Sequence, residues 1–188
     1  MKTMKLRIKG MSPLLMHNGL LADPSNPFTI ETKKITSKRK KVDADHEALA
    51  KLEFLGSLYT NEKEAVIIPA NMLTAVIING AKHSKLGKVF QASVFADKNA
   101  LLEYEGPKEP LELWKDESFR FKTSVVVNRS RIMRTRPIFN EWAVTVEFSY
   151  LDNVEESEII TAMEKAGQLV GIGDWRPRYG RFSVEVVK

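Results

Sequence analysis

Four arginines fall within eight residues, Arg129, Arg131, Arg134 and Arg136, with Ile132 and Met133 set among them. Guanidinium forks match phosphate oxygens, and apolar side chains between them suit a nucleic-acid strand whose bases are splayed apart. A second group lies in Gly171-Ile-Gly-Asp-Trp-Arg-Pro-Arg-Tyr-Gly-Arg-Phe182. There glycines let backbone amides approach phosphate, Arg176, Arg178 and Arg181 supply charge, and Trp175 and Tyr179 offer faces to bases. The third is the charge run Lys33-Lys-Ile-Thr-Ser-Lys-Arg-Lys-Lys41, in which Lys33, Lys34, Lys38, Arg39, Lys40 and Lys41 can engage a polyanion by counterion release. Plainer readings stand beside each group. The glycines fit a tight turn, the arginines a charged edge or a protein-contact arm, and the lysines a solvated loop.

The rest of the composition narrows the setting. With 188 residues, 43% of them hydrophobic, the chain is long enough for one core. The net charge of +5 is mild, so distribution matters more than the sum. There is no cysteine, which excludes a disulfide framework and any thiolate ligand or nucleophile. No apolar run approaches the roughly 18 residues that span a bilayer, and Met1 to Lys9 alternates charge with apolar groups. A soluble cytoplasmic protein without membrane partners is expected.

The elements that must position these groups follow from periodicity. Met4, Leu6 and Ile8 alternate with Lys5, Arg7 and Lys9, predicting a strand with a core face and a basic face. Gly19, Pro24, Asn26 and Pro27 argue against a helix there, so the basic run is expected in a mobile loop. Asp43 or Asp45 can cap a helix over about 44–58, and Pro69 precedes another over about 70–83. The stretch from Phe90 to Trp114 reads as irregular with brief strands. Phe119 to Val127 and Trp142 to Tyr150 read as strands, with the arginine cluster at the tip of a long hairpin between them. On an extended arm, Arg129 with Arg131, and Arg134 with Arg136, form two local pairs. Val154 to Val170 predicts a last core helix, with acidic residues in its first turn.

Setting the early segment aside, the order is strand, helix, strand, strand, helix, strand. That is an α+β arrangement of ferredoxin-like, or RRM-like, βαββαβ type. A single domain over 1–188 is expected, with a helical and loop insertion over about 11–64 and a hairpin arm over about 119–150. Gly171-Ile-Gly173 follows a helix and precedes a strand, the reverse of a dinucleotide-binding fingerprint. No cofactor is expected, and no spacing of His or carboxylates suggests a metal site.

The residues at this point resemble the RAMP superfamily, the repeat-associated proteins of CRISPR systems, and above all the backbone subunits that coat guide RNA. The likeness rests on Ile67-Ile-Pro69 leading into a helix, the mid-chain hairpin, and the aromatic-glycine-arginine step Arg178-Tyr-Gly-Arg-Phe182 into the final strand. Where the family carries Gly-Ser-Ser followed by a Leu-Lys pair, this chain has Ala70-Asn-Met-Leu-Thr74. The resemblance implies subunits lined up along single-stranded RNA or DNA as a homo-oligomer or filament, with each hairpin reaching over its neighbour to displace bases. A stand-alone phage or mobile-element relative on the same core is equally implied. Some members are endoribonucleases using a histidine near the first helix or a metal-bound aspartate, which points to His17, Asp23, Asp43 and Asp45 as the catalytic alternative. A basic architectural protein whose arms contact protein is the third class.

Overall fold

A computed structural model describes residues 1–187. In chain order its elements are β1 (Lys2–Gly10), β2 (Leu14–Leu15), α1 (Pro27–Thr36), α2 (Asp43–Ser57), β3 (Ile67–Ile68), α3 (Ala70–Lys82), α4 (Gly87–Ser93), β4 (Val94–Ala96), β5 (Ala100–Glu103), α5 (Pro110–Lys115), β6 (Arg120–Val127), β7 (Ser130–Phe139), β8 (Ala143–Tyr150), α6 (Glu156–Lys165) and β9 (Phe182–Val187). This is a mixed α+β chain with antiparallel sheets. Its contacts divide into two compact units: Met1–Leu14, Val66–Glu105 and Phe139–Lys188 in the first, Leu15–Ala65 and Gly106–Ile138 in the second. Among the described residues no helix is long and apolar enough to cross a membrane.

In the first unit the alternation of β1 puts Met4, Leu6 and Ile8 into the core. The sheet runs β3-β5-β8-β1-β9, with β4 also paired to β8. Leu6 lies opposite Val146 on β8 and Val186 on β9, so β1 is flanked on both sides. α3 contributes Leu73, Val76 and Ile77 and α6 contributes Ile159 and Met163, all buried, each of the larger side chains worth about 1.5–3 kcal/mol. The two helices meet at Gly80, where a Cβ would stand 2.0 Å from the Ala162 carbonyl oxygen. Only glycine permits that approach. A π turn, Ala166–Val170, continues α6 and completes the helix expected to reach residue 170.

The second unit departs further from expectation. Asn26 caps α1 by accepting the Phe28 amide through Oδ1 at 2.9 Å, and Pro27 takes the first turn, where its missing N–H costs nothing. The residues read as helix-breaking are a helix start. Lys33 and Lys34 therefore sit in the last turn of α1 and not in a loop, a favourable place for cations at a helix C-terminus. α2 packs on α1, and Phe54 of α2 meets Trp114 of α5 edge-on with ring centroids 5.5 Å apart. The stretch read as irregular holds α4 and α5, helices of 7 and 6 residues, too short to show a periodic pattern.

The hairpin is also shorter than expected. β7 pairs with β6, from Arg120 opposite Pro137 to Val127 opposite Ser130, and the second sheet has the order β2-β7-β6. Asn128 and Arg129 form the turn with φ of 48° and 65°, the left-handed pair that a two-residue hairpin with native twist requires. Of the arginines expected at the tip, Arg129 is in the turn, while Arg131, Arg134 and Arg136 lie along β7. β8, expected as the second leg of the arm, pairs with β1, β4 and β5 in the first unit.

Candidate nucleic-acid interface

Register decides which hairpin residues share a face. Opposed positions in an antiparallel ladder point to the same side, so Arg131 joins Val126, Met133, Ser124 and Lys122 on one face, with Arg120 at its base. Arg134 and Arg136 lie on the other face beside Thr123 and Phe121, so the pairing expected for those two holds. Arg129 is in the turn, and its expected pairing with Arg131 on an extended arm is lost. The distal part of the first face is solvent-facing and partly apolar: Val126 is 65% exposed and Met133 55%, and Arg131 and Lys122 are exposed beside them.

Pairing within the protein removes several cations from the count. Arg134 donates to Glu53 at 3.1 Å, and the other Glu53 oxygen accepts the Thr135 amide at 2.9 Å. Arg120 lies over the Trp114 ring at 4.8 Å and donates to Glu117 at 2.8 Å. Lys34 is bound to Glu31 and Lys38 to Asp45, at 2.5 and 2.6 Å. Lys41 donates to the Lys38 carbonyl, while Arg39 and Lys40 are exposed. A cavity of about 1060 Å³ in this unit collects Lys41, Lys122 and Arg131 with Trp114, Ile132 and Met133, together with Asp43, Glu47, Glu53 and Glu117. It therefore brings one end of the basic run together with the hairpin, over an apolar floor and with carboxylates among the cations. Arg120, Lys122 and Trp114 were not singled out from sequence; the alternation Arg120-Phe-Lys122 opposite the arginine strand was their available signal.

The C-terminal loop belongs to the first unit and is built from positive-φ residues. Gly171, Gly173 and Gly180 have φ of 73°, 84° and 71°, and Trp175 has 52°. Gly180 is obligatory, since a Cβ there would lie 1.7 Å from the Ile172 carbonyl oxygen. Backbone bonds fix the loop: Ile172 N to Gly180 O at 2.9 Å, Tyr179 N to Trp175 O at 3.2 Å and Gly180 N to Pro13 O at 2.8 Å. Trp175 is 39% exposed, its ring tilted against Tyr179 with centroids 6.2 Å apart, so it does not plug the core. Arg176, Arg178 and Arg181 are exposed. On the basic face of β1, Lys5 and Arg7 have acidic partners on nearby strands. Arg7 meets Glu103 through two nitrogens at 2.7 and 3.1 Å, and Lys5 meets Glu147 at 3.4 Å.

Of the candidate catalytic residues, His17, Asp23 and Asp45 have structural partners. His17 Nδ1 lies 3.4 Å from the Ser57 hydroxyl. The backbone amide and hydroxyl of Ser25 donate to Asp23 and hold its carboxyl below the usual range. Asp45 is likewise lowered, first by Lys38 and then by the Val42 amide at 3.1 Å. Asp43 opens α2 and lines the cavity. Among the described residues no group of three or more His, Asp or Glu is placed to hold a metal ion. No protein-family model and no curated protein sequence matches the chain.

Proposed function

We propose that the protein binds single-stranded nucleic acid with little sequence preference and that copies line up side by side along the strand. One observation carries this reading: the exposed face of the hairpin sets Arg131 and Lys122 beside Val126 and Met133. Cations at that spacing meet phosphates while the apolar side chains contact unstacked bases, which a duplex does not offer. The strand order β9-β1-β8-β5, with α3 and α6 as the crossovers, supports a ferredoxin-like reading of the first unit, since β1 and β5 run parallel with β8 between them. That order also supports the likeness to guide-coating RAMP subunits or a stand-alone relative. The role is binding without catalysis.

A second reading has its own support. The cavity beside the hairpin mixes Lys41, Lys122 and Arg131 with Asp43 and Glu47 over an apolar floor, a pattern that suits a protein segment better than a polyanion. On that reading the arm makes an assembly contact. Size measurement by light scattering separates the two. Strand binding predicts that mass rises in steps with the length of an added single strand, and that Lys122→Ala with Arg131→Ala reduces the effect. Growth that is independent of nucleic acid and unchanged in that variant supports the assembly arm.

A further inference from the structure

The C-terminal loop and the end of α3 line a shallow, wide-open cavity of about 690 Å³, large enough for one nucleotide, with Asn79, Lys82, His83, Asp174, Trp175 and Arg176 in its wall. Lys82 and His83 come from a helix end that the sequence did not connect with the loop. Three features converge on it. Trp175 presents an aromatic face at 39% exposure, next to Tyr179. Its backbone is held at φ of 52°, a conformation that a bulky side chain adopts only at a cost and that glycine adopts freely. Two cations, Lys82 and Arg176, line it and outnumber the one carboxylate there, Asp174, and Lys82 is oriented by its 2.8 Å bond to Asn79 Oδ1. A half-exposed ring with two cations in the same cavity suits stacking of a base and pairing of its phosphate.

We infer that this cavity seats one nucleotide unit of a bound strand, with the base stacked on Trp175 and the adjoining phosphate held by Lys82 and Arg176. The inference rests on the strand-binding reading and assigns that reading a base-contacting site separate from the hairpin. Tryptophan fluorescence reports on it directly, because Trp114 and Trp142 are 9% and 4% exposed and Trp175 is the accessible one of the three.

The test titrates the protein with a twelve-residue oligouridine, a twelve-residue oligothymidine and free uridine monophosphate, following intrinsic fluorescence and, for end-labelled oligomers, anisotropy. At least one oligomer quenches the emission, and the mononucleotide does so only at concentrations a hundredfold higher or more. Trp175→Gly, whose backbone suits the left-handed conformation, keeps the melting temperature, abolishes the quench and weakens oligomer binding roughly tenfold. Trp175→Phe keeps a stacking face and holds affinity within about threefold. Lys82→Gln with Arg176→Gln weakens binding while the quench at saturation remains. Oligomer binding without a quench, or with full affinity in Trp175→Gly, overturns the seat and leaves strand binding intact. A mononucleotide that binds as tightly as the oligomers overturns it in favour of a free-nucleotide site. Absence of any anisotropy change overturns both readings.

Discussion

Glu53 on α2 holds Arg134 on β7 with one carboxylate oxygen and the neighbouring Thr135 amide with the other, at 3.1 and 2.9 Å. The bond is two-point and mostly shielded, with the Glu53 side chain 14% exposed. It divides the arginine strand. Arg134 is tied to its own unit, while Arg131 remains on the exposed face.

Glu53→Ala therefore loosens the base of the hairpin, leaving the Thr135 amide without its acceptor. A loss of about 1–3 kcal/mol is expected in chemical denaturation. The exposed pair of Lys115 with Glu112 is the control, and Glu112→Ala changes stability by less than about 0.5 kcal/mol.

Salt dependence separates the arginines. Removing Arg131 and Lys122 lowers the slope of log affinity against log salt by roughly one per lost phosphate contact. Arg134→Ala acts mainly through hairpin stability, so its slope changes less once the fraction folded is accounted for. Filter binding at four salt concentrations distinguishes these outcomes.

Gly180→Ala forces a side chain into a left-handed position and against the Ile172 carbonyl. We expect a cost of at least about 2 kcal/mol and a melting temperature lower by roughly 5 °C or more. Differential scanning calorimetry provides the number, with Gly19→Ala as the control because nothing lies within 4 Å of its added Cβ.

Asp45 gives a pH dependence with a defined sign. Lys38 and the Val42 amide lower its pKa in the folded state, so its contribution is present above the usual carboxylate pKa and fades as pH falls through the lowered value. Asp45→Asn removes this part. The denaturation midpoint of the variant then falls less steeply below about pH 4 than that of the parent protein.

Where the chain's pattern was long and periodic, it was legible. The alternation of Met4, Leu6 and Ile8 and the helical spacing from Leu73 to Ala81 lead directly to β1 and α3. The start of α1 was hidden because Asn26 and Pro27 serve equally as turn residues and as a helix cap. Hairpin register was hidden for a different reason. Only the left-handed turn at Asn128 and Arg129 reveals that Arg120 and Lys122 face the same side as Arg131. The approach of Lys82 to Trp175 across 93 positions is tertiary, and no local rule contains it.

The most direct test is fluorescence anisotropy of labelled single strands of roughly 30–60 nucleotides, the span several subunits need, against a duplex of equal length at one salt concentration. Saturable binding of the single strand, at least tenfold tighter than the duplex and nearly indifferent to base composition, is the expected result. Equal affinity for the two, or no binding of either, contradicts it.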